Sequence, residues 1–303
     1  MKQKQDLQDW IVLAAKSQTV IPGFNIPYLP MMAPVAQALI ETKTHGLIMV
    51  ARLEWIKFQS KSIKAIYNEY QKMKDIRYTR LHLDHVPVID EDNLHVDYFA
   101  DIKQALDLGY ESVMVDGSRL SLDENISCTK KITELAHAYG APVEAELGAV
   151  MGHESGPMPS YEELIKSGKG FTSTDEAVRF VEETKVDWLS VAIGNVHGAI
   201  SAAKRTEKKV EAILDIAHLA KIFNAVKIPL VLHGGTGIKK EYIMQSFKNG
   251  IAKINIATAI RQPYEALMNE SVAKAQEAVY KEMLKIIKED LEIEGSSNKI
   301  IIT

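Results

Sequence analysis

The chain has 303 residues, of which 46% are hydrophobic and 25% charged, the composition of an ordinary globular protein with one large domain or two small ones. Its 40 acidic and 36 basic residues give a formal charge of −4, so no bulk attraction to nucleic acid or to an anionic membrane is expected. The single cysteine, Cys128, excludes an internal disulfide and favours a cytoplasmic protein.

The amino-terminal segment contains an apolar run of only about five residues, well short of a signal-peptide core or of the roughly 20 residues that span a bilayer. A targeting segment is therefore not expected. No stretch rich in Pro, Gly or Ser divides the chain. We expect a single domain over residues 1–303.

Short apolar runs alternate along the chain with longer amphipathic segments, the pattern of strands that are each followed by a crossover helix. The runs are Val20–Asn25, Gly46–Ala51, Leu81–His85, Ser112–Asp116, Val143–Leu147, Trp188–Ile193, Pro229–His233 and Ile251–Asn255. Eight such units in about 300 residues predict an α/β fold, a single (β/α)8 TIM barrel, with a doubly wound open sheet as the alternative.

Helix signals support this alternation. Ser121 with Glu124, and Ser173 with Glu176, have the spacing of capping boxes, in which the hydroxyl and the carboxylate satisfy amide groups at a helix start. Late in the chain, apolar residues recur at helical spacing between positions 279 and 291. We therefore expect a C-terminal helical extension over about residues 262–293.

Polar residues stand at the carboxyl ends of the predicted strands, where barrel enzymes place their chemistry. The third run ends with Asp84 and His85, the sixth leads into His197, and the seventh ends at His233. Each histidine alone is more often a structural residue than a ligand. Three imidazoles from three strands, with carboxylates nearby, suit a divalent transition metal and above all zinc. The sequence thus predicts a metal site at the barrel mouth.

A glycine-rich turn follows the seventh run. The residues Gly234-Gly235-Thr236-Gly237 precede a helical segment that begins near Lys239, so their amides could cradle a phosphate at a helix N-terminus. Such a turn is weak evidence by itself, and a plain turn is the alternative. Its place after the seventh strand favours the phosphate, because barrels often bind phosphate after strands seven and eight.

Taken together, these motifs resemble the class II, metal-dependent ketose-bisphosphate aldolases, the family of fructose- and tagatose-bisphosphate aldolases. The matching stretches occur in family order across roughly residues 20 to 260. They are Phe24–Ile26 (FNI), His82–His85 (HLDH), Ser112–Ser118 (SVMVDGS), Glu124–Ile126 (ENI), Val143–Gly148 (VEAELG), Val191–Gly198 (VAIGNVHG), Val231–Gly237 (VLHGGTG) and Lys253–Thr258 (KINIAT).

The resemblance implies a metal site and a triose-phosphate site. His85, His197 and His233 match the zinc ligands, and Glu146 matches a carboxylate near the metal. A monovalent cation often binds nearby in the family. The positions that match those holding the phosphate and hydroxyls of dihydroxyacetone phosphate are Gly198, Gly234, Thr236, Asn255 and Thr258.

The resemblance also implies a reaction. Asp84 matches the acid/base that exchanges a proton with the C4 hydroxyl, and Glu154 matches the mobile-loop acid that handles the enediolate proton. The expected activity is zinc-dependent, reversible cleavage of a phosphorylated ketose to dihydroxyacetone phosphate and an aldehyde. A metal can stabilise the enediolate, so no Schiff-base lysine is required. Family members are commonly dimers or tetramers, so a homo-oligomer is expected.

Several departures from the family concern substrate rather than metal. The segment Ala51–Trp55 replaces a serine-containing stretch, Arg119 stands where a histidine is usual, and the C-terminal region lacks the arginine motif of the distal phosphate. These changes predict a different acceptor aldehyde. They also leave open a non-catalytic, aldolase-like partner or regulatory subunit. A metal-dependent hydrolase ranks last, because the first strand has no His-x-His motif.

Overall fold

The computed structural model describes residues 6–148, 150, 161–195 and 212–300. Eight parallel strands close into a barrel in chain order, which confirms the predicted (β/α)8 TIM barrel and excludes the open sheet. The strands are β1 (Ile21–Asn25), β2 (Gly46–Ala51), β3 (Thr79–Pro87), β4 (Ser112–Asp116), β5 (Val143–Leu147), β6 (Trp188–Val191), β7 (Leu230–Leu232) and β8 (Ile251–Ile256).

Helices surround this barrel. They are α1 (Leu7–Lys16), α2 (Met32–Glu41), α3 (Arg52–Lys57), α4 (Ile63–Met73), α5 (Tyr98–Leu108), α6 (Leu122–Ala138), α7 (Tyr161–Ser167), α8 (Thr174–Thr184), α9 (Ile216–Val226), α10 (Lys240–Phe247), α11 (Thr258–Leu267) and α12 (Val272–Lys285). The predicted extension thus coincides with most of α11, with α12 and with the short π-helix Ile286–Asp290. No helix of the described residues combines the length and the apolar character that crossing a membrane demands.

The predicted strands are all present; β2, β4 and β5 have the predicted bounds, and the other five differ by one or two residues at one or both ends. β6 ends before Ala192 because the Ala192 amide donates to the Thr172 hydroxyl (2.8 Å) instead of to a neighbouring strand. The same hydroxyl donates to the Leu147 carbonyl oxygen. Thr172 therefore bridges the carboxyl ends of β5 and β6.

The predicted capping boxes have different outcomes. Ser121 and Glu124 form both reciprocal bonds at the start of α6. Ser173 accepts the Glu176 amide at the start of α8 (3.4 Å), but in this described helix the return bond from the Glu176 side chain does not form, so that box is only half right. One hydroxyl bond is enough to begin the helix.

The amino-terminal end of the barrel is closed by α1. Trp10 and Ile11 pack in one apolar cluster with residues at the first rungs of the strands, including Ile21, Leu47 and Trp188. The Trp10 ring stacks on the His45 imidazole, with the two ring centroids 3.8 Å apart. Catalytic side chains are thereby left to the opposite, carboxyl-terminal mouth.

Candidate active site

Two consecutive residues of β3, Asp84 and His85, contribute polar groups to the same site. In a regular strand their side chains would point to opposite faces. The β3–β4 register shifts between Leu83 and Val86, and His85 has a φ of +36°, a left-handed conformation that costs a histidine free energy. This bulge turns His85 toward the mouth beside Asp84. The stretch that carries the strongest sequence match therefore also carries backbone strain.

The Asp84 carboxylate is clamped by two amides. Asn25 Nδ2 donates to Asp84 Oδ2 and Asn255 Nδ2 donates to Asp84 Oδ1, each at 2.9 Å, and Asp84 is only 1% exposed. Burial would raise the pKa of Asp84, but positive charge on His85 and Lys253 outweighs it and holds that pKa well below its usual range. The group is therefore an ionised carboxylate at neutral pH.

The His85 imidazole is oriented by Asp116. Its Nδ1 lies 3.2 Å from Asp116 Oδ2, while Asp116 Oδ1 accepts the Ser118 amide (3.0 Å) and hydroxyl (2.6 Å). Asp116 thus makes the turn after β4 through Ser118 and also holds the histidine. Burial opposes protonation, yet Asp84 and Asp116 raise the pKa of His85 to about 10. The site around this ring strongly favours a positive charge.

The His233 ring lies between two carboxylates of β5. Its Nε2 is 2.7 Å from Glu144 Oε1, and its Nδ1 is 2.9 Å from Glu146 Oε2. Burial lowers the pKa of His233 and both glutamates raise it, with a net increase. Because a neutral ring can donate a hydrogen bond through only one of its nitrogens, the two flanking carboxylates together favour a second proton or a metal ion at this ring.

These side chains form two overlapping sets that could hold a metal ion. Asp84, His85 and His233 form one set, and His85, Asp116 and Glu146 form the other, with ligand atoms within 4.8 Å of one another in each. The His85 and His233 ring centroids are 4.5 Å apart. Imidazole and carboxylate donors in a carboxylate-rich site fit a divalent transition metal.

The glycine turn after β7 is built for close backbone approach. Gly234 and Gly237 have positive φ values of 67° and 84°. Gly235 donates its amide to the Asn255 carbonyl oxygen at 3.1 Å, and a Cβ there would lie 2.7 Å from the Ile254 side chain. Only glycine fits this position without displacing β8.

The turn is joined to the helix that follows β8. The Ala259 amide donates to Thr236 Oγ1 (3.3 Å), and Thr258 is the first residue of α11, a helix of 10 residues. The turn amides and a helix N-terminus therefore meet at the seam between β7 and β8. This combination is suited to an anion such as phosphate.

Lys253 is a functional candidate that was not singled out from the sequence. Lys253 of β8 lies inside the barrel at 0% exposure, 2.8 Å from Glu144 Oε2. His82 is also fully buried, with its Nδ1 2.7 Å from Ser112 Oγ, and burial together with the Lys253 charge lowers the pKa of His82 to about 3. A lysine inside an otherwise apolar predicted strand was the available signal.

The end of β2 carries a further buried carboxyl. Glu54 is 5% exposed and accepts the Ala51 amide at 2.8 Å. Burial raises the pKa of Glu54 to about 8, although the hydrogen bond from the Ala51 amide lowers it. The Asn25 side chain is also a neighbour of Glu54. Glu54 belongs to the segment that departs from the family pattern, and its carboxyl lies beside Asn25, one of the two residues that clamp Asp84.

Three predicted site residues lie outside the described part of the chain: His197, Gly198 and Glu154. Their predicted roles remain predictions. Among the described ones, the structure brings Asp84, His85, His233 and Glu146 together, and it puts Asn255 against Asp84. Gly234, Thr236 and Thr258 stand at the neighbouring β7–β8 seam.

Comparison with known proteins gives consistent findings. The sequence profile of the class-II fructose-bisphosphate aldolases matches residues 5–299. A fructose-bisphosphate aldolase of Geobacillus stearothermophilus is 32% identical over 265 residues, which cover 86% of this chain and 83% of that protein.

Solved structures agree with the fold. The YdjI aldolase from Escherichia coli K12 matches with a TM-score of 0.75 and 27% identity, covering 97% of this chain and 100% of that one. A fructose-bisphosphate aldolase from Campylobacter jejuni matches with a TM-score of 0.72 over 95% of this chain and 94% of that one. At 18% identity, the second likeness concerns the fold alone.

Proposed function

The chain belongs to the class-II fructose-bisphosphate aldolase family and is a lyase, and we propose that it cleaves a phosphorylated ketose reversibly to dihydroxyacetone phosphate and an aldehyde, with zinc as its metal. The observation that carries the proposal is the ionised Asp84, clamped by two amides directly beside two imidazoles. A base next to a metal site is what retro-aldol chemistry needs.

The metal would be held by His85 and His233, together with His197 as the family resemblance implies, and Glu146 would lie near it. The donor chemistry supports zinc, since imidazole nitrogens and carboxylate oxygens are both among its usual protein ligands. A divalent cation there supplies Lewis-acid stabilisation of the negative charge left on the triose half. A monovalent cation nearby is part of the proposal only through the family resemblance.

Asp84 performs the proton transfer at C4. In the cleavage direction its carboxylate takes the proton of the C4 hydroxyl, the C3–C4 bond breaks, and an aldehyde forms at C4. The electron pair of that bond stays on C3. The low pKa of Asp84 keeps it unprotonated before the reaction, and the two amides hold both of its oxygens in place. In the condensation direction the same carboxyl returns the proton.

The remaining roles concern the triose phosphate. Gly198, Gly234, Thr236 and Thr258 would bind its phosphate and hydroxyls, with Asn255 at the edge nearest Asp84. Support comes from the meeting of the glycine turn and the α11 N-terminus through the bond from Ala259 to Thr236. Glu154 would protonate C3 and so complete dihydroxyacetone phosphate.

The acceptor aldehyde is proposed to differ from that of the bisphosphate enzymes. Arg52 follows β2 and lies 3.4 Å from Asp90 and 3.5 Å from Asp101, so its charge is already paired. Glu54 adds a carboxyl near Asn25.

Two further properties complete the proposal. The single cysteine suggests a cytoplasmic location, and the family resemblance suggests a homodimer or homotetramer.

A substrate panel tests this function. Zinc-reconstituted protein is incubated with ketose 1-phosphates and ketose bisphosphates, and released dihydroxyacetone phosphate is reduced by a coupling enzyme that oxidises NADH. We expect metal-dependent turnover of at least one ketose phosphate. A protein that binds zinc tightly yet releases no triose phosphate from any of them would instead support the non-catalytic partner.

A further inference from the structure

A buried ammonium lies inside the barrel, below the proposed catalytic residues. Lys253, Glu144 and His82 are each 0% exposed, at a level where TIM barrels normally carry Val, Ile and Leu. A buried ion pair is seldom more stabilising than apolar packing of the same volume. Packing alone therefore does not explain why this chain has a lysine there, and its contacts suggest a different reason.

One contact of Lys253 leads to Asp84. Lys253 Nζ donates to Asn255 Oδ1 at 2.6 Å, and Asn255 Nδ2 donates to Asp84 Oδ1 at 2.9 Å. An asparagine side chain can present either its oxygen or its NH₂ group in a given direction. Since an ammonium has donors and no acceptor, it selects the orientation in which the NH₂ group faces Asp84.

A second contact of Lys253 leads to His233, and Nζ also lies 3.9 Å from Asp84 Oδ1. Lys253 Nζ lies 2.8 Å from Glu144 Oε2, and Glu144 Oε1 lies 2.7 Å from His233 Nε2. An ionised Glu144 accepts a hydrogen bond from Nε2 only when Nε2 carries the proton. In a neutral His233 ring the lone pair then lies on the other nitrogen, Nδ1. The Lys253 ammonium thus orders two chains of contacts, one ending at Asp84 and the other at His233.

We propose that Lys253 is a positioning residue of the aldol site, which acts through Asn255 to hold Asp84 ready for the C4 proton. This proposal rests on the proposed function, and it assigns no direct contact between Lys253 and substrate. The ammonium is fully buried and held from two sides, so it is not a Schiff-base nucleophile. Its effect should fall on bond cleavage rather than on formation of the enediolate from the triose phosphate.

The first test needs no activity. In metal-free protein with ¹⁵N-labelled asparagine, the Asn255 side-chain amide is identified by its loss in Asn255→Ser. In Lys253→Met that amide should exchange with solvent at least ~10-fold faster than in wild type, because its fixed orientation is lost. Lys281→Met removes an exposed lysine of α12 and should leave the exchange unchanged. Unchanged exchange in Lys253→Met would overturn the proposal.

The second test compares two reactions of the zinc-loaded enzyme. Asp84 is needed to cleave the C3–C4 bond of the ketose. Exchange with D₂O of a hydroxymethyl hydrogen of dihydroxyacetone phosphate, on the carbon that becomes C3 of the ketose, does not use the C4 hydroxyl. Lys253→Met should therefore lower the cleavage kcat at least ~10-fold more than the exchange rate. Equal losses of both rates would show a merely structural role and contradict us.

Folding and function failures can be told apart. If Lys253→Met is unstable because Glu144 is left with an unpaired charge, Lys253→Met/Glu144→Gln removes both charges, and the same ratio of rates is measured there. If wild-type protein shows neither cleavage nor exchange, the proposed function fails, while the Asn255 amide measurement still decides the role of Lys253.

Discussion

Replacing Asp84 by asparagine is the most direct test of the proposed proton transfer. The substitution keeps the shape of the side chain and removes the carboxylate base. General-base catalysis contributes ~10²- to 10⁴-fold to a rate, so we expect kcat for cleavage to fall by that factor. This corresponds to a barrier increase of about 2.7–5.5 kcal/mol.

The effect of Asp84→Asn on folding follows from its two bonds. Asn25 and Asn255 each donate an N–H to one oxygen of Asp84. An asparagine offers one oxygen and one NH₂ group, so one of the two bonds is lost. A hydrogen bond to a charged group contributes about 1.5–3 kcal/mol, which is less than the usual 5–15 kcal/mol of domain stability. The variant should therefore remain folded.

The assay combines zinc titration with coupled release of triose phosphate. Asp123→Asn on the exposed start of α6 serves as the matched control and should behave as wild type. We expect Asp84→Asn to bind one zinc ion with near-normal affinity and to cleave slowly. Loss of the metal together with activity would mean that Asp84 acts as a ligand, and near-normal cleavage would mean that another group is the base.

Three further outcomes are expected. Because the pKa of His85 is raised to about 10, the metal-free site is protonated at neutral pH and zinc must displace that proton. The affinity for zinc should therefore rise about tenfold per pH unit at pH values below about 10. Calorimetry in buffers of different ionisation heat should find about one proton released per zinc ion at pH ~7.5, and a binding reaction that releases no proton would contradict us. Gly235→Val should raise KM for dihydroxyacetone phosphate without weakening zinc binding, since its Cβ would meet Ile254 and disturb the turn; unchanged condensation kinetics would exclude a phosphate role. Trp10→Ala should lower the free energy of unfolding in urea by about 3–5 kcal/mol and leave KM unchanged, and a loss below ~1 kcal/mol would show that α1 does not stabilise the barrel.

The fold was predictable because each strand is a continuous apolar run between turn residues. Gly46–Ala51, Ser112–Asp116 and Val143–Leu147 match the predicted bounds residue for residue. At the end of β6, where the observed bound differs, the Thr172 hydroxyl takes the place of a strand partner. Such a contact joins residues far apart in the chain, and local periodicity carries no trace of it.

The site was predictable in its residue types but not in its contacts. Asp84, His85 and His233 were found because polar residues at strand ends need an explanation. The two roles of Asp116 depend on how β3 and β4 are aligned, which the sequence leaves open. Lys253 lies in a run whose pattern predicts a buried strand. Only the closed barrel shows that its ammonium reaches Glu144 and Asn255.

The kink in β3 has a consequence for how this barrel can diversify. Because the proton acceptor and an imidazole are neighbours along one backbone, a single peptide unit sets their spacing, and no loop has to be correctly placed to maintain it. Connections at the mouth that carry none of the proposed metal or proton-transfer residues can change without altering that spacing. New sugars can thus be accommodated by altering the periphery, while the reactive pair is inherited intact with its strand.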